Sequence, residues 1–512
     1  MKKKLSFSLK PTQQWALFLL FFLILKALVI FLVIQYSSIK LSPDESQYWV
    51  WSKSLSYGYY SKPPGIAWQI ALTTFLFGDT EWGVRCGALL LSIGSCFALY
   101  RLALLSNLSA KTAFWAAIIF SFSPLGFFGS LAATTDGGLT LFWILSLCEL
   151  APALKKGKPE FWKVGLWIGL GALFKWSSYI LWIFVLGLLY FHKKWRDKEI
   201  WTGLAISIIG LIPSYAWNAT HDFATFRHVF NQMQGGQPGA KASGNFFEFL
   251  GSQIGLLSPL YFGLLVFGLI ALLFNKKMRG AVQTWGWLSC ILMVFYLGFS
   301  LFFKVQSNWM IFAYPTIAIV IAWYAQDIQK WLWSATGLSV FIVLILLLIP
   351  IIQNHSVDAT HPLPYKLNPF QQCLGWNKID PALRNAGYDP KKHFLFGDKY
   401  QMTSLLSFYS PGQKRAYFLN LLGTRNNQFT FWPSLAQEKL GKDGYYVVDW
   451  NKTTPSVEHK DRIINKLKPY FYSVDYVSNY SLFESYTIPS KGVMIFKCTH
   501  YNGKVPPVTN RY

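Results

Sequence analysis

Two adjacent carboxylates, Asp44 and Glu45, open a stretch over 41–68 that carries seven Tyr and Trp residues and closes on Lys62-Pro63-Pro64-Gly65. A carboxylate can take the proton of an attacking group as bond formation begins. A lysine or arginine can hold a phosphate. The same residue types recur further along, at Arg85, at Asp136 within Thr134-Thr135-Asp136-Gly137-Gly138, at Lys175, and at His221 beside Asp222. If these groups meet, they form an acid–base site with several cations, suited to an anionic, lipid-linked substrate.

The elements that must bring them together are membrane spans. The chain has 512 residues and is 53% hydrophobic but only 14% charged, where a soluble domain carries about 25%. Apolar runs near 20 residues recur, the signature of a polytopic membrane protein. The net charge of +24 sits largely in short Lys/Arg clusters between apolar runs, the pattern of cytoplasmic loops facing anionic lipid rather than of a nucleic-acid binder. No metal-type cysteine spacing and no nucleotide-binding glycine fingerprint occurs. Cys373 and Cys498 have the option of pairing if the tail lies outside the cytoplasm.

Lys2, Lys3, Lys4 and Lys10 place the N-terminus inside. A first span over 15–36 holds Lys26 near its middle, facing the bundle or a polar cavity, or else snorkelling. The loop over 38–81 then lies outside, with interfacial helices expected over 44–56 and 66–77. Spans follow over 82–105, over 112–131 with an interruption at Pro124, and on to about 154. The segment 161–192 has basic clusters at both ends. Two short crossings turning at Lys175-Trp176-Ser177-Ser178 keep both clusters inside and leave Lys175 outside. Charge parity gives about eleven spans in a transmembrane domain over 1–352. A polar linker covers 353–369, and a small extracytoplasmic α/β domain covers 370–512, where β-like runs such as HFLFGD, YYVVDW and VMIFKC alternate with helical stretches. By this count Asp44, Glu45, Lys62, Arg85, Asp136, Lys175 and His221 all fall at outer turns.

The segments SPDESQYWVWSKSL, GYYSKPPGIAW and FGDTEWGVRCGALL, followed by LGALFKWSSY, PSYAWNATHDFATFR, QSNWMIFAYP and GDKYQMTSLLSFYSPGQ, resemble the GT-C membrane glycosyltransferases that use polyprenyl-phosphate sugars. These include protein O-mannosyltransferases and aminoarabinose transferases of lipid A. The resemblance implies a multispan helical bundle with interfacial helices in its first outer loop and an extracytoplasmic tail. It implies that Asp44 is the catalytic base and that Lys62 contacts the lipid phosphate. Glu45, Arg85, Lys175, Asp136 and His221 are further candidates for substrate binding. Lipid A-modifying members often have an acidic residue or His just before the lysine. Ser61 stands there in this chain, so a divalent metal is left unassigned.

Plainer roles exist for each residue. Asp44 can cap its helix, Glu45 can be a first-turn charge, and Asp136 can cap the span it opens. Lys62 can anchor at the interface, and Arg85 and Lys175 can flank spans. His221 can be an ordinary surface histidine, and the aromatics a headgroup belt. The expected function is inverting sugar transfer from a polyprenyl-phosphate donor to an envelope glycolipid, at the outer face of a bacterial inner membrane. A protein acceptor, or a transporter of lipid-linked sugars, is the alternative.

Overall fold

The computed structural model describes residues 9–233, 244–274, 280–355, 363–451, 455–486 and 488–507. Lys2, Lys3 and Lys4, the Gly/Gln-rich turn at 234–243, the basic residues Lys276, Lys277 and Arg279, and linker residues 356–362 lie outside the described residues. The helices run α1 (Pro11–Tyr36), α2 (Pro43–Ser52), α3 (Gly65–Phe77), α4 (Glu81–Leu105), α5 (Ala110–Phe122), α6 (Pro124–Leu131), α7 (Thr135–Ala153), α8 (Phe161–Ala172), α9 (Ile180–Phe191), α10 (Glu199–Ile208), α11 (Ile212–Thr220), α12 (Ala224–Met233), α13 (Phe246–Leu257), α14 (Pro259–Phe274), α15 (Ala281–Phe299), α16 (Tyr314–Tyr324) and α17 (Gln329–His355). Among the described residues, α1, α4, α15 and α17 are each long and apolar enough to cross a bilayer. Three bent pairs, α5 with α6, α10 with α11 and α13 with α14, pass the same test together. Length and composition alone therefore do not return a count of eleven.

The breaks have local causes. Pro124 lacks the N–H that would continue α5, and the chain bends 63° there. Carbonyls freed by the bend must find other donors. Lys26, buried in α1, supplies them: its Nζ donates to Ser121 O, Ser121 Oγ and Gly126 O at 2.8, 3.0 and 3.1 Å. The mid-span lysine thus faces the bundle, where it plugs a helix break.

The segment 161–192 turns back on itself. Lys158 pairs with Asp197 and Glu199, and Phe161 packs against Trp195, so the basic ends lie together. Lys175 lies at the other end, beside Asp136. α8 packs on α10 at very short range. A Cβ on Gly165 would sit 2.0 Å from Gly203 O, and one on Gly210 would sit 2.0 Å from Gly169 O. Only glycine allows these backbones to approach so closely.

Beyond the spans come α18 (Ile379–Asn385), α19 (Tyr400–Tyr409), α20 (Leu435–Glu438) and α21 (Val457–Leu467), with a five-stranded sheet of β1 (Phe394–Gly397), β2 (Tyr417–Phe418), β3 (Gly444–Asn451), β4 (Phe471–Ser485) and β5 (Ile488–Tyr501). The order is β2-β1-β3-β5-β4. β1 is parallel to β2 and β3, and β5 is antiparallel to β3 and β4. Alternation along β5 sends Val493 and Ile495 into one core, shared with α19 and α2. Met494 and Phe496 enter the other, shared with Ile463 and Leu467 of α21. Cys373 and Cys498 are not bonded to each other; all six cysteines are free thiols.

Of the two first-loop helices, α3 exposes Leu72, Phe75, Leu76 and Phe77, as a helix against lipid would, but α2 does not lie on a lipid surface. Tyr48, Trp49, Trp51, Tyr59 and Tyr60 are buried, and α2 is sandwiched between the spans and α19. Trp49 meets Phe408 edge to face at 4.9 Å, and Trp51 stacks on Tyr59 at 4.6 Å. These rings form a core between the two parts of the chain rather than a headgroup belt.

Candidate active site

α2 begins with a capping box. The Ser42 hydroxyl accepts from Glu45 N–H, and the Glu45 carboxylate accepts from Ser42 N–H at 2.8 Å. The cap is therefore Ser42 with Glu45, and Asp44 is left free for another role. Its carboxylate stays accessible although protein crowds it on several sides. Tyr400 of α19 donates to Asp44 Oδ1 at 3.4 Å. Crowding out of water pushes the Asp44 carboxyl above its ordinary value, and Lys62 partly offsets this.

Lys62 follows a tight turn in which Tyr59 N–H donates to Lys62 O at 3.2 Å. The next residues are pinned to the end of α8 by Gly65 N–H donating to Leu173 O at 2.8 Å. A Cβ on Gly65 would lie 2.7 Å from that same oxygen, which explains a glycine after the two prolines. Removal from water and the charge of Lys175 lower the Lys62 pKa, while Asp136 and Asp44 oppose the shift. Among the described residues no carboxylate lies within ion-pair distance of Lys62.

Asp136 is capped rather than capping: its own N–H donates to Thr134 Oγ1. Its carboxylate accepts from Lys175 Nζ at 2.8 Å and from Asn308 Nδ2 at 2.6 Å. These bonds join the first turn of α7, the α8–α9 turn and the segment before α16. The charges of Asp44, Asp136 and Lys175 all act on Lys62.

The other three candidates are placed differently. Glu45 and Arg85 are both 1–2% exposed and face each other in a two-pronged pair, Nε to Oε1 at 2.8 Å and Nη2 to Oε2 at 2.9 Å. Arg85 also donates to Ile39 O and Lys40 O, and Glu45 accepts from Ala133 N–H. Burial works to raise the Glu45 pKa, but Arg85 and the backbone donors outweigh it and hold the carboxyl low. The structure assigns both residues to a buried brace among α2, α4 and the turn before α7, because their hydrogen-bonding groups are taken by protein. His221 stacks on Trp217 at 4.1 Å, and its Nδ1 bonds Trp217 O and Thr220 Oγ1. It belongs to an aromatic cluster with Phe431 rather than to the Asp44 group.

Three residues not anticipated from the sequence join this group: Tyr400 bonds Asp44, the charge of Arg425 acts on Asp44 and Lys62, and His228 contacts Arg425. Tyr400 lies within a tail segment already noted for its resemblance. Arg425 and His228 gave no signal of their own. His228 is 3% exposed, and burial, with Arg425 and Lys62 nearby, drops its pKa to about 3 and keeps it neutral. Among the described residues no three His, Cys, Asp or Glu side chains cluster as a metal site.

Residues 61–217 match the family model described as dolichyl-phosphate-mannose-protein mannosyltransferase. Over 286 residues the chain is 25% identical to the lipid A galacturonosyltransferase RgtD of Rhizobium johnstonii, covering 55% of this chain and 59% of that protein. Over 197 residues it is 27% identical to the undecaprenyl phosphate-alpha-4-amino-4-deoxy-L-arabinose arabinosyl transferase of Pseudomonas paraeruginosa, covering 34% and 35%. The chain therefore spans less than two thirds of either relative. Its fold matches ArnT from Cupriavidus metallidurans bound to undecaprenyl phosphate, with a TM-score of 0.62 at 16% identity over 94% of this chain and 98% of ArnT. The fold is thus of the membrane GT-C kind. Together the matches support the resemblance read from the motifs, to glycosyltransferases of this type.

Proposed function

We propose that the protein is an inverting glycosyltransferase that moves a sugar from a polyprenyl-phosphate donor to an envelope glycolipid of the lipid A kind. The reading rests on one observation above all: an accessible carboxylate, Asp44, shares its field with Lys62, which has no ion-pair partner among the described residues, and Lys62 in turn feels the bridged Asp136–Lys175 pair. Asp44 takes the proton of an acceptor hydroxyl. The freed oxygen attacks the anomeric carbon from the face opposite the phosphate. The carbon–oxygen bond to phosphate breaks, and its electron pair leaves with the polyprenyl phosphate, whose added negative charge falls to Lys62. Asp136, itself held by Asn308, holds Lys175, whose ammonium reinforces the positive field.

The printed name of RgtD favours a lipid acceptor; the family model's description keeps a protein hydroxyl as the second reading. The protein resides in the inner membrane. The N-terminus lies in the cytoplasm, the spans number about eleven, and Asp44 and the C-terminal domain lie on the outer side. Replacing Asp44 by Asn removes the base while keeping its shape. Transfer should fall roughly 10²–10⁴-fold with binding of undecaprenyl phosphate retained. Turnover at the wild-type rate would remove Asp44 from the chemistry, and lipid translocation without any transfer would favour a transporter.

A further inference from the structure

Arginines that brace a protein are normally neutralised by a carboxylate, as Arg85 is by Glu45. Arg425 is not. It sits on the loop after β2, in the C-terminal domain, and among the described residues no carboxylate lies within ion-pair distance of it. Its anchor is a neutral group: Nη1 lies 2.7 Å from His228 Nδ1 and 3.0 Å from Nε2. His228 belongs to α12 and is itself packed against the Tyr60 ring at 4.8 Å. Gln428, three residues after Arg425, accepts from Tyr60 N–H at 2.7 Å. The loop is therefore fastened to the first outer loop on both sides of the guanidinium's reach. From there the charge of Arg425 acts on both Asp44 and Lys62. An arginine held by an uncharged acceptor keeps its positive charge for something else, and it also hydrogen-bonds Tyr400, which donates to the base Asp44.

We propose that Arg425 binds the phosphate of the lipid donor together with Lys62, and that His228 is its positioning residue, so that the C-terminal domain completes the active site. This rests on the polyprenyl-phosphate reading above. The guanidinium offers a planar fork matched to phosphate oxygens, which the point charge of a lysine does not. As the sugar departs, the phosphate changes from a singly charged diester to a more highly charged monoester. A fixed cation then gains more in the transition state than in the ground state. Asp44 takes up the acceptor proton, so Arg425 transfers none.

The test uses the full chain in lipid nanodiscs, with undecaprenyl phosphate and, as a phosphate-free control, undecaprenol. Arg425→Ala should weaken undecaprenyl phosphate binding roughly 10–100-fold, leave undecaprenol binding unchanged, and stay folded with a modestly lower unfolding temperature, since buried His228 loses its partner. Arg425→Lys should recover part of the loss. His228→Gln, which keeps a neutral acceptor, should bind nearly as wild type, whereas His228→Ala should shift KM for the donor more than kcat. If wild type binds undecaprenyl phosphate and folded Arg425→Ala and Arg425→Lys bind it equally well, the Arg425 assignment is overturned. If wild type itself fails to distinguish the phosphate from the alcohol, the donor reading fails first and this one with it.

Discussion

The Arg85–Glu45 pair separates a scaffold role from a substrate role for a residue whose position suggested binding. Replacing Arg85 with Met leaves the Glu45 carboxylate buried beside two backbone donors but without its counter-ion, and frees the carbonyls of Ile39 and Lys40. Removing one partner of a buried pair typically costs about 3–5 kcal/mol, which converts to on the order of a hundred- to several-thousand-fold in the folding equilibrium. Glu45→Gln should cost about as much, since it strands the guanidinium instead. The double variant Arg85→Met with Glu45→Leu should recover only part of the loss, because it removes the desolvated charge but still leaves the carbonyls of Ile39 and Lys40 and the N–H groups of Ser42 and Ala133 without these partners. The assay is the thermal unfolding of the three variants in nanodiscs, alongside undecaprenyl phosphate binding by the fraction that remains folded. Low stability with intact binding is the expected result for Arg85→Met. Wild-type stability with lost phosphate binding would refute the brace and return Arg85 to the substrate.

Three further outcomes are expected. Transfer should depend on pH with an acid limb above the ordinary carboxylate range, because burial raises Asp44 and the base must be ionised. The alkaline limb should fall below the ordinary lysine range, because burial and Lys175 lower Lys62 and the charged form is needed; Lys62→Arg should move that limb upward, measured as kcat/KM against pH. Gly165→Ala should cost about 1–3 kcal/mol by forcing α8 from α10, whereas Gly187→Ala, with open space around it, should be neutral in the same melt. Cysteines at Lys175 and Arg384 should react with an impermeant maleimide from the outer side, and one at Lys156 only from the cytoplasmic side; labelling of Lys175 and Lys156 from the same side would rule out the reversal at Lys175.

Much of the scaffold was legible because its signals are local. Pro124 announced the break that Lys26 fills, and the basic clusters at both ends of 161–192 matched a chain that doubles back. Ser42-Pro43-Asp44-Glu45 is a capping-box pattern, beside which Asp44 offered only an alternative cap. What was not legible is contact across distance. Arg85 meets Glu45 forty residues away, and Tyr400 meets Asp44 356 residues away. No periodicity encodes such pairings, so Arg85 read as a binding group. Arg425, in a polar loop, carried no pattern at all. β4 escaped for a different reason. It is an edge strand, and its run YSVDYVSNYS mixes polar and aromatic residues without a continuous apolar face.

The doubled-back segment has a consequence for the surrounding lipid. α8 and α9 have 12 residues each, a rise of about 18 Å against a hydrocarbon layer of about 30 Å. A bilayer meeting so short a wall thins locally rather than leave polar turns in hydrocarbon. Headgroups and water are thereby drawn down toward Lys175, and a long isoprenoid tail can stay dissolved while its phosphate descends to the protein. The hairpin shapes the solvent as well as the site, and bilayer thickness becomes a variable to which the protein responds.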